Sequence, residues 1–201
     1  MQYTYTRGVI MLLILTSLLA CSSVDKLNEQ LDSQETAEQT VDVIEKCIHI
    51  KGHKPCDFET FDVHGNIVNL HDLEGSPLIL DISAAWCGPC RAAAQEVQDV
   101  QDAYSEYNLK YLTLLFEDTG GNVPNQSDLE VWASQNEITT APVWGGSRDL
   151  LVNSPIETEQ GFYMTSLPTF YFINSEMRIY SMQVGFNSSV IEEKIQEMLN
   201  D

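Results

Sequence analysis

At 201 residues the chain has room for one domain of ordinary size plus extra segments, and a hydrophobic fraction of 43% suffices for one real core. Ten Lys and Arg against 30 Asp and Glu give a formal net charge of −20, which argues against nucleic acid or an anionic lipid surface as an electrostatic partner. The surface this implies is a soluble, self-repelling one. Five cysteines is an odd number, and the N-terminus accounts for the odd one.

Residues 1–20 read as an export signal. Arg7 supplies the positive charge, and Val9 to Leu19 is a mainly apolar stretch of eleven residues, too short to span a bilayer as a helix. Leu18-Leu19-Ala20-Cys21 follows and resembles the bacterial lipobox, in which cleavage falls before the cysteine and that cysteine carries lipid. The resemblance implies a lipoprotein held to the bilayer through Cys21. The competing reading is a soluble secretory peptide cut near Ala20. Ser22 and Ser23 follow without an Asp, which by the same analogy implies the outer membrane of a two-membrane bacterium, facing the periplasm. Removing the signal takes away Arg7 alone, leaving 9 basic and 30 acidic residues, a net of −21. Lipidation leaves four cysteines, an even set suited to an oxidising compartment.

Residues 21–40 are polar and acidic and read as a solvated tether, although Leu27 and Leu31 allow a short helix. Residues 41–57 form an N-terminal extension holding Cys47 and Cys56, with His49 and His53 between them. The reading preferred for this stretch is a structural disulfide, Cys47–Cys56, closing a ten-residue loop and stabilising by roughly 2–3 kcal/mol on the loop-entropy model. A zinc or copper site, or a second redox pair, are the alternatives. The domain proper is expected over residues 58–201. It opens with a hairpin in which Phe58, Thr60 and Asp62 alternate with Glu59, Phe61 and Val63, His64-Gly65-Asn66 turns, and Ile67 to Leu70 returns. His64 and His71 read as exposed turn residues.

Leu78 to Ser83 is an apolar strand interrupted by Asp81, an acid that is expensive to bury unless protonated or used. The competing reading lets Asp81 face water near the strand end. The strand runs into Trp86-Cys87-Gly88-Pro89-Cys90, where a helix begins. A cysteine at a helix N-terminus meets unpaired backbone N–H groups and the positive end of the dipole, which favours the thiolate. Pro89 suits the first helical turn. The inner face of the helix is predicted at Cys90, Ala93, Ala94, Val97, Val100 and Tyr104. That spacing points Cys90 to the core and Cys87 to solvent, so Cys87 attacks and Cys90 resolves.

Lys110 to Phe116 reads as a buried strand and residues 117–126 as a solvated loop. Ser127-Asp128-Leu129-Glu130 reads as a capping box for a helix bearing Leu129, Trp132 and Ala133. Residues 141–160 are loop-rich, with a short strand at Pro142-Val143-Trp144. Thr165-Ser166-Leu167-Pro168 leads into the strand Thr169 to Ile173. Residues 178–184 form the next strand. Ser189-Val190-Ile191-Glu192 reads as a second capping box for a helix burying Ile191, Ile195 and Leu199.

Over roughly residues 57–201 these motifs carry a family resemblance. Trp86-Cys87-Gly88-Pro89-Cys90 resembles thioredoxin, and Gly75-Ser76-Pro77-Leu78-Ile79-Leu80-Asp81 with Leu167-Pro168-Thr169-Phe170 resembles the thioredoxin-like (redoxin/TlpA-type), membrane-anchored thiol–disulfide oxidoreductases of bacterial envelopes. The resemblance implies an α/β thioredoxin fold, a central mixed sheet flanked by helices with an N-terminal β-hairpin extension. It implies a redox-active Cys87–Cys90 disulfide in a loop with Trp86, Gly88 and Pro89. Asp81, six residues before Cys87, would accept a proton from Cys90. The Leu167–Pro168 bond would be cis, exposing the Leu167 backbone to an extended substrate strand; the bland alternative is trans. Gly88-Pro89 resembles the dipeptide of reducing members. The implied activity is reduction of disulfides in envelope proteins, with electrons from an envelope or membrane donor and with no cofactor, no metal and no nucleic acid. A lipid-anchored copper carrier using thiols with His49 or His53 is the non-enzymatic alternative. A thiol peroxidase is weaker, because peroxiredoxins place Thr or Ser three residues before the reactive cysteine with a Pro four earlier; here Ala84 occupies the first place and Ile79 lies near the second.

Overall fold

The computed structural model describes residues 49–153 and 161–200. The signal segment, Cys21, the tether and Cys47 lie outside the described residues. Strands β1 (Glu59–Phe61) and β2 (Ile67–Asn69) pair antiparallel as the expected hairpin. Asp62 makes the turn by accepting from the amides of His64 and Asn66 through Oδ1, at 2.8 and 2.9 Å. His64 is exposed as read, but His71 is half-buried, with Nε2 at 2.9 Å from the Pro55 carbonyl. A side chain reaching back sixteen residues to a backbone oxygen leaves no trace in the local sequence.

The central strand β3 (Leu78–Ala84) is buried at all seven positions. Continuous burial means that both faces are covered, which explains an unbroken apolar run rather than alternation. A helical segment follows, α1 (Gly88–Ala94), then α2 (Val97–Ala103), then β4 (Lys110–Glu117), which lies parallel to β3. One helix was expected from Cys90; the break at Gln95–Glu96 divides it. Cys90, Ala93, Ala94 and Val97 are buried as read, whereas Val100 and Tyr104 are half-buried. Gln101 takes the inner position instead. Its Oε1 accepts from the Tyr111 amide at 3.0 Å and its Nε2 donates to Thr140 Oγ1 at 3.1 Å. An apolar residue there would leave the strand amide unpaired.

Helix α3 (Gln126–Gln135) is capped two residues before the predicted cap, Ser127. Asn125 is the cap, accepting from the amides of Ser127 and Asp128, while Asp128 accepts from the Asn125 amide at 2.8 Å. Strand β5 (Val143–Gly145) runs parallel to β4 at the sheet edge. The hairpin reaches it through a bridge between Asp62 and Trp144. A Cβ on Gly145 would fall 2.4 Å from Phe61 Cζ, so only glycine admits that ring.

Two short strands, β6 (Leu151–Val152) and β7 (Phe162–Tyr163), pair parallel to each other. The chain then enters β8 (Thr169–Ile173), β9 (Ile179–Val184) and α4 (Ser188–Leu199). Among the described residues the main sheet is five-stranded and mixed, in the order β5-β4-β3-β8-β9, with β3 antiparallel to β8 and β8 antiparallel to β9. Asn187, not Ser189, caps α4, accepting from the Val190 amide at 3.3 Å. The helix buries Ile191, Ile195 and Met198, with Leu199 only half-buried. Both cap assignments missed for one reason: an Asn earlier in the loop offers its oxygen first, and it caps as well as Ser does. Among the described residues no helix is long and apolar enough to cross a membrane.

Candidate active site

Strand β3 ends at Ala84, and the chain turns through Ala85-Trp86 into α1. The Cys87 amide donates to the Ala84 carbonyl at 3.0 Å, which closes this turn. Cys87 is the N-cap of α1, with Pro89 in the first helical turn, as its fixed φ favours. The Cys90 amide donates to Cys87 Sγ at 3.2 Å. The two cysteines are joined as a disulfide with Cα atoms 5.2 Å apart.

The two sulfurs are not equivalent. Cys90 is fully buried at 0% exposure. Cys87, expected toward solvent, is itself only 4% exposed, because the disulfide and the surrounding loops cover it. Its access is through a cleft of about 410 Å³ lined by Trp86, Cys87, Gly88, Pro89, Phe116, Arg148, Met164, Ser166 and Leu167. Cys90 does not line that cleft. Trp86 stands at its mouth, 48% exposed.

The loop before β8 also lines the cleft, through Met164, Ser166 and Leu167. The Leu167–Pro168 bond is cis, Pro168 is buried and its carbonyl accepts from the Gly185 amide at 2.8 Å. Ser166 and Leu167 line the same cleft as Cys87. Asp81 lies in mid-strand at 0% exposure, so it does not face water near a strand end. Burial pushes its carboxyl up to about 7, against a partial offset from the Ser83 hydroxyl, which donates to Oδ1 at 2.7 Å. Its Oδ2 has no hydrogen-bond partner among the described residues.

Glu117, expected to open the loop of residues 117–126, is instead the last residue of β4. It closes β4 beside Ala84 and is buried, with its side chain 6% exposed. Oε2 accepts from Trp86 Nε1 at 2.7 Å, and Oε1 accepts from Arg148 Nε at 2.5 Å. An acid at the end of an apolar strand was the available signal, the same one that singled out Asp81. Nothing local marked Arg148.

The histidines of the N-terminal extension sit elsewhere. His49 is buried, with Nδ1 accepting from the Gly161 amide at 3.3 Å and its ring 4.1 Å from that of Phe162. Burial pulls its pKa down to about 4. It lines a separate cavity of about 180 Å³ with Cys56, which is disulfide-bonded. Among the described residues no three His, Cys, Asp or Glu side chains gather as a metal-binding set.

A family model described as the AhpC/TSA family matches residues 52–182. The thiol-disulfide oxidoreductase ResA of Oceanobacillus iheyensis is 43% identical over 49 residues, 24% of this chain and 24% of that protein. The matched stretch thus spans about a quarter of that relative's length. A thiol:disulfide interchange protein of the thioredoxin family from Chlorobium tepidum superposes with a TM-score of 0.58 at 19% identity, over 73% of this chain and 95% of the other. A thiol:disulfide interchange protein from Bacteroides sp. gives 0.58 at 14% identity, over 76% and 91%. These structural likenesses establish the thioredoxin fold.

Proposed function

Because the chain belongs to the AhpC/TSA family, on a thioredoxin fold that offers one sulfur of a cysteine pair to a cleft, we propose that it is a thiol–disulfide oxidoreductase that reduces protein disulfides. The observation that carries this reading is the inequivalence of the two cysteines: Cys87 lines the cleft beside Leu167, and Cys90 is sealed beneath it. In the reduced protein the Cys87 thiolate attacks one sulfur of a substrate disulfide. That S–S bond breaks, a mixed disulfide forms, and the released substrate thiolate takes a proton. Cys90 then gives up its proton and attacks Cys87 Sγ. The second substrate thiol leaves, and the Cys87–Cys90 disulfide carries the two electrons' worth of oxidation. A dithiol donor must reduce it again.

The Cys90 amide aimed at Cys87 Sγ favours the thiolate that opens the reaction. Asp81, buried and with its pKa near 7, is suited to receive the Cys90 proton in the second step. The Leu167 backbone, next to the cis bond, supplies an edge for an extended substrate. Peroxide reduction is the less favoured chemistry, since Ala84 brings no hydroxyl three residues before Cys87. Turnover of insulin disulfides should be lost in Cys87→Ser, whereas Cys90→Ser should accumulate a mixed disulfide with substrate. Undiminished turnover in Cys87→Ser would falsify the assignment.

The reading extends to location. An export signal ending at Ala20-Cys21 supports lipid anchoring through Cys21 in a bacterial envelope, with a structural Cys47–Cys56 bridge near the start of the domain and envelope proteins as substrates. Anchoring is tested by fractionation: the full chain should pellet with membranes and Cys21→Ser should not. Equal partition of the two would remove the anchor from the account.

A further inference from the structure

We infer that Arg148 makes the cleft selective for disulfides that carry an aspartate or glutamate beside the half-cystine. The inference rests on the thiol–disulfide reading above and names the substrate class of that site. Of the nine residues lining the cleft, Arg148 is the only one that carries a formal charge once Cys87 is in its disulfide. The others are apolar or neutral.

The guanidinium is held rather than loose. Its Nε donates to Glu117 Oε1 at 2.5 Å, and its Cζ lies 5.5 Å from the centre of the Phe116 ring. Glu117 is fixed in turn, because its other oxygen takes the Trp86 indole N–H at 2.7 Å. One buried carboxylate therefore sets both the ring beside Cys87 and the cation across from it. Both Glu117 oxygens are engaged inward, and its side chain is 6% exposed against 68% for Arg148. The anion is covered and the cation is open. No hydrogen bond to the two Nη groups of Arg148 is formed among the described residues. A guanidinium pinned at Nε and open at Nη presents a planar donor pair, which fits a carboxylate better than a single ammonium does.

The wider charge makes the placement informative. A chain of net charge −20 repels acidic partners at long range. A fixed cation at the reactive sulfur runs against that field, so it acts in contact and not in steering. Contact recognition and long-range repulsion separate with salt. At about 0.15 M ionic strength the screening length is about 8 Å, and distant charges fade while a touching pair persists.

The test uses the full chain in its reduced form and three disulfide peptides that differ only in the residue preceding the half-cystine: Glu, Gln or Lys. Single-turnover reduction is followed by mass spectrometry at about 0.15 M salt. The Glu peptide should react about two- to fivefold faster than the Gln peptide, the range an exposed charge pair permits, and the Lys peptide should be slowest. Arg148→Gln should bring the Glu-to-Gln ratio to about one. Arg148→Lys, which keeps the charge and loses the fork, should leave a reduced ratio above one. Equal rates for the three peptides, or a ratio that survives in Arg148→Gln, overturn the selectivity and leave the reductase intact. Failure of the unaltered protein to reduce any of the three overturns the reductase reading and the selectivity with it.

Discussion

Asp81 sits in the centre of the sheet with no cation paired to it among the described residues; its hydrogen bond comes from the Ser83 hydroxyl, and its cross-strand neighbours are Thr113 and Phe170. Thr113 Oγ1 is also buried with no partner among the described residues. The Tyr111 phenol nearby is pushed well up, first by its own burial and then by the Asp81 charge. Burial raises the folded-state pKa of Asp81 from 3.8 to about 7. The folded chain therefore holds a proton that the unfolded chain has released between those values. The sign follows: the neutral carboxyl costs nothing below the unfolded pKa, and stability falls as pH rises through the folded one. By pH 8 the ionised form costs at most on the order of 4 kcal/mol. Asp81→Asn, nearly isosteric and never charged, should raise the melting temperature by several degrees at pH 8 and leave it unchanged near pH 3.5. It should also slow the step in which Cys90 resolves the mixed disulfide. An unchanged melting temperature at pH 8 would mean that Asp81 is ionised there at no cost, and its part as a proton acceptor would fall.

At the scale of elements, what could be read in the sequence was what neighbours in the chain determine. The turn from β3 into α1, the Cys87 N-cap, Pro89 in the first turn and the buried stripe Cys90-Ala93-Ala94-Val97 are all set within about ten residues, and each stands where the pattern placed it. The cis bond at Leu167–Pro168 followed from a family resemblance and is present. Helix starts were harder, because Asn125 and Asn187 compete for the same amides as the Ser residues two positions later. Gln101 inside α2 and Glu117 at the end of β4 were not legible. Their partners, Tyr111 and Thr140 for one and Trp86 and Arg148 for the other, come together only when strands and loops are assembled. A polar residue in an apolar face reads as an error of pattern until the group that it satisfies is known.

For the whole molecule, the fold bears on a question that a Cys-x-x-Cys motif leaves open. A matched pair of thiols in a loop could bind a metal, close a structural bridge or exchange disulfides. Here the sheet, helix and the loop before β8 bury one sulfur and turn the other toward a cleft of apolar and neutral residues with a single cation. The acidic exterior then keeps the chain apart from anionic surfaces, and selection falls to contacts within that cleft. The central claim is that this placement makes Cys87 the reactive thiolate and withholds Cys90. It is tested most directly by reducing the protein and following alkylation of each cysteine by peptide mass mapping across pH. The account predicts that Cys87 is modified first, with a midpoint below the value of about 8.5 for an ordinary thiol, while Cys90 stays protected. Modification of Cys90 ahead of Cys87, or a Cys87 midpoint at or above about 8.5, would contradict it.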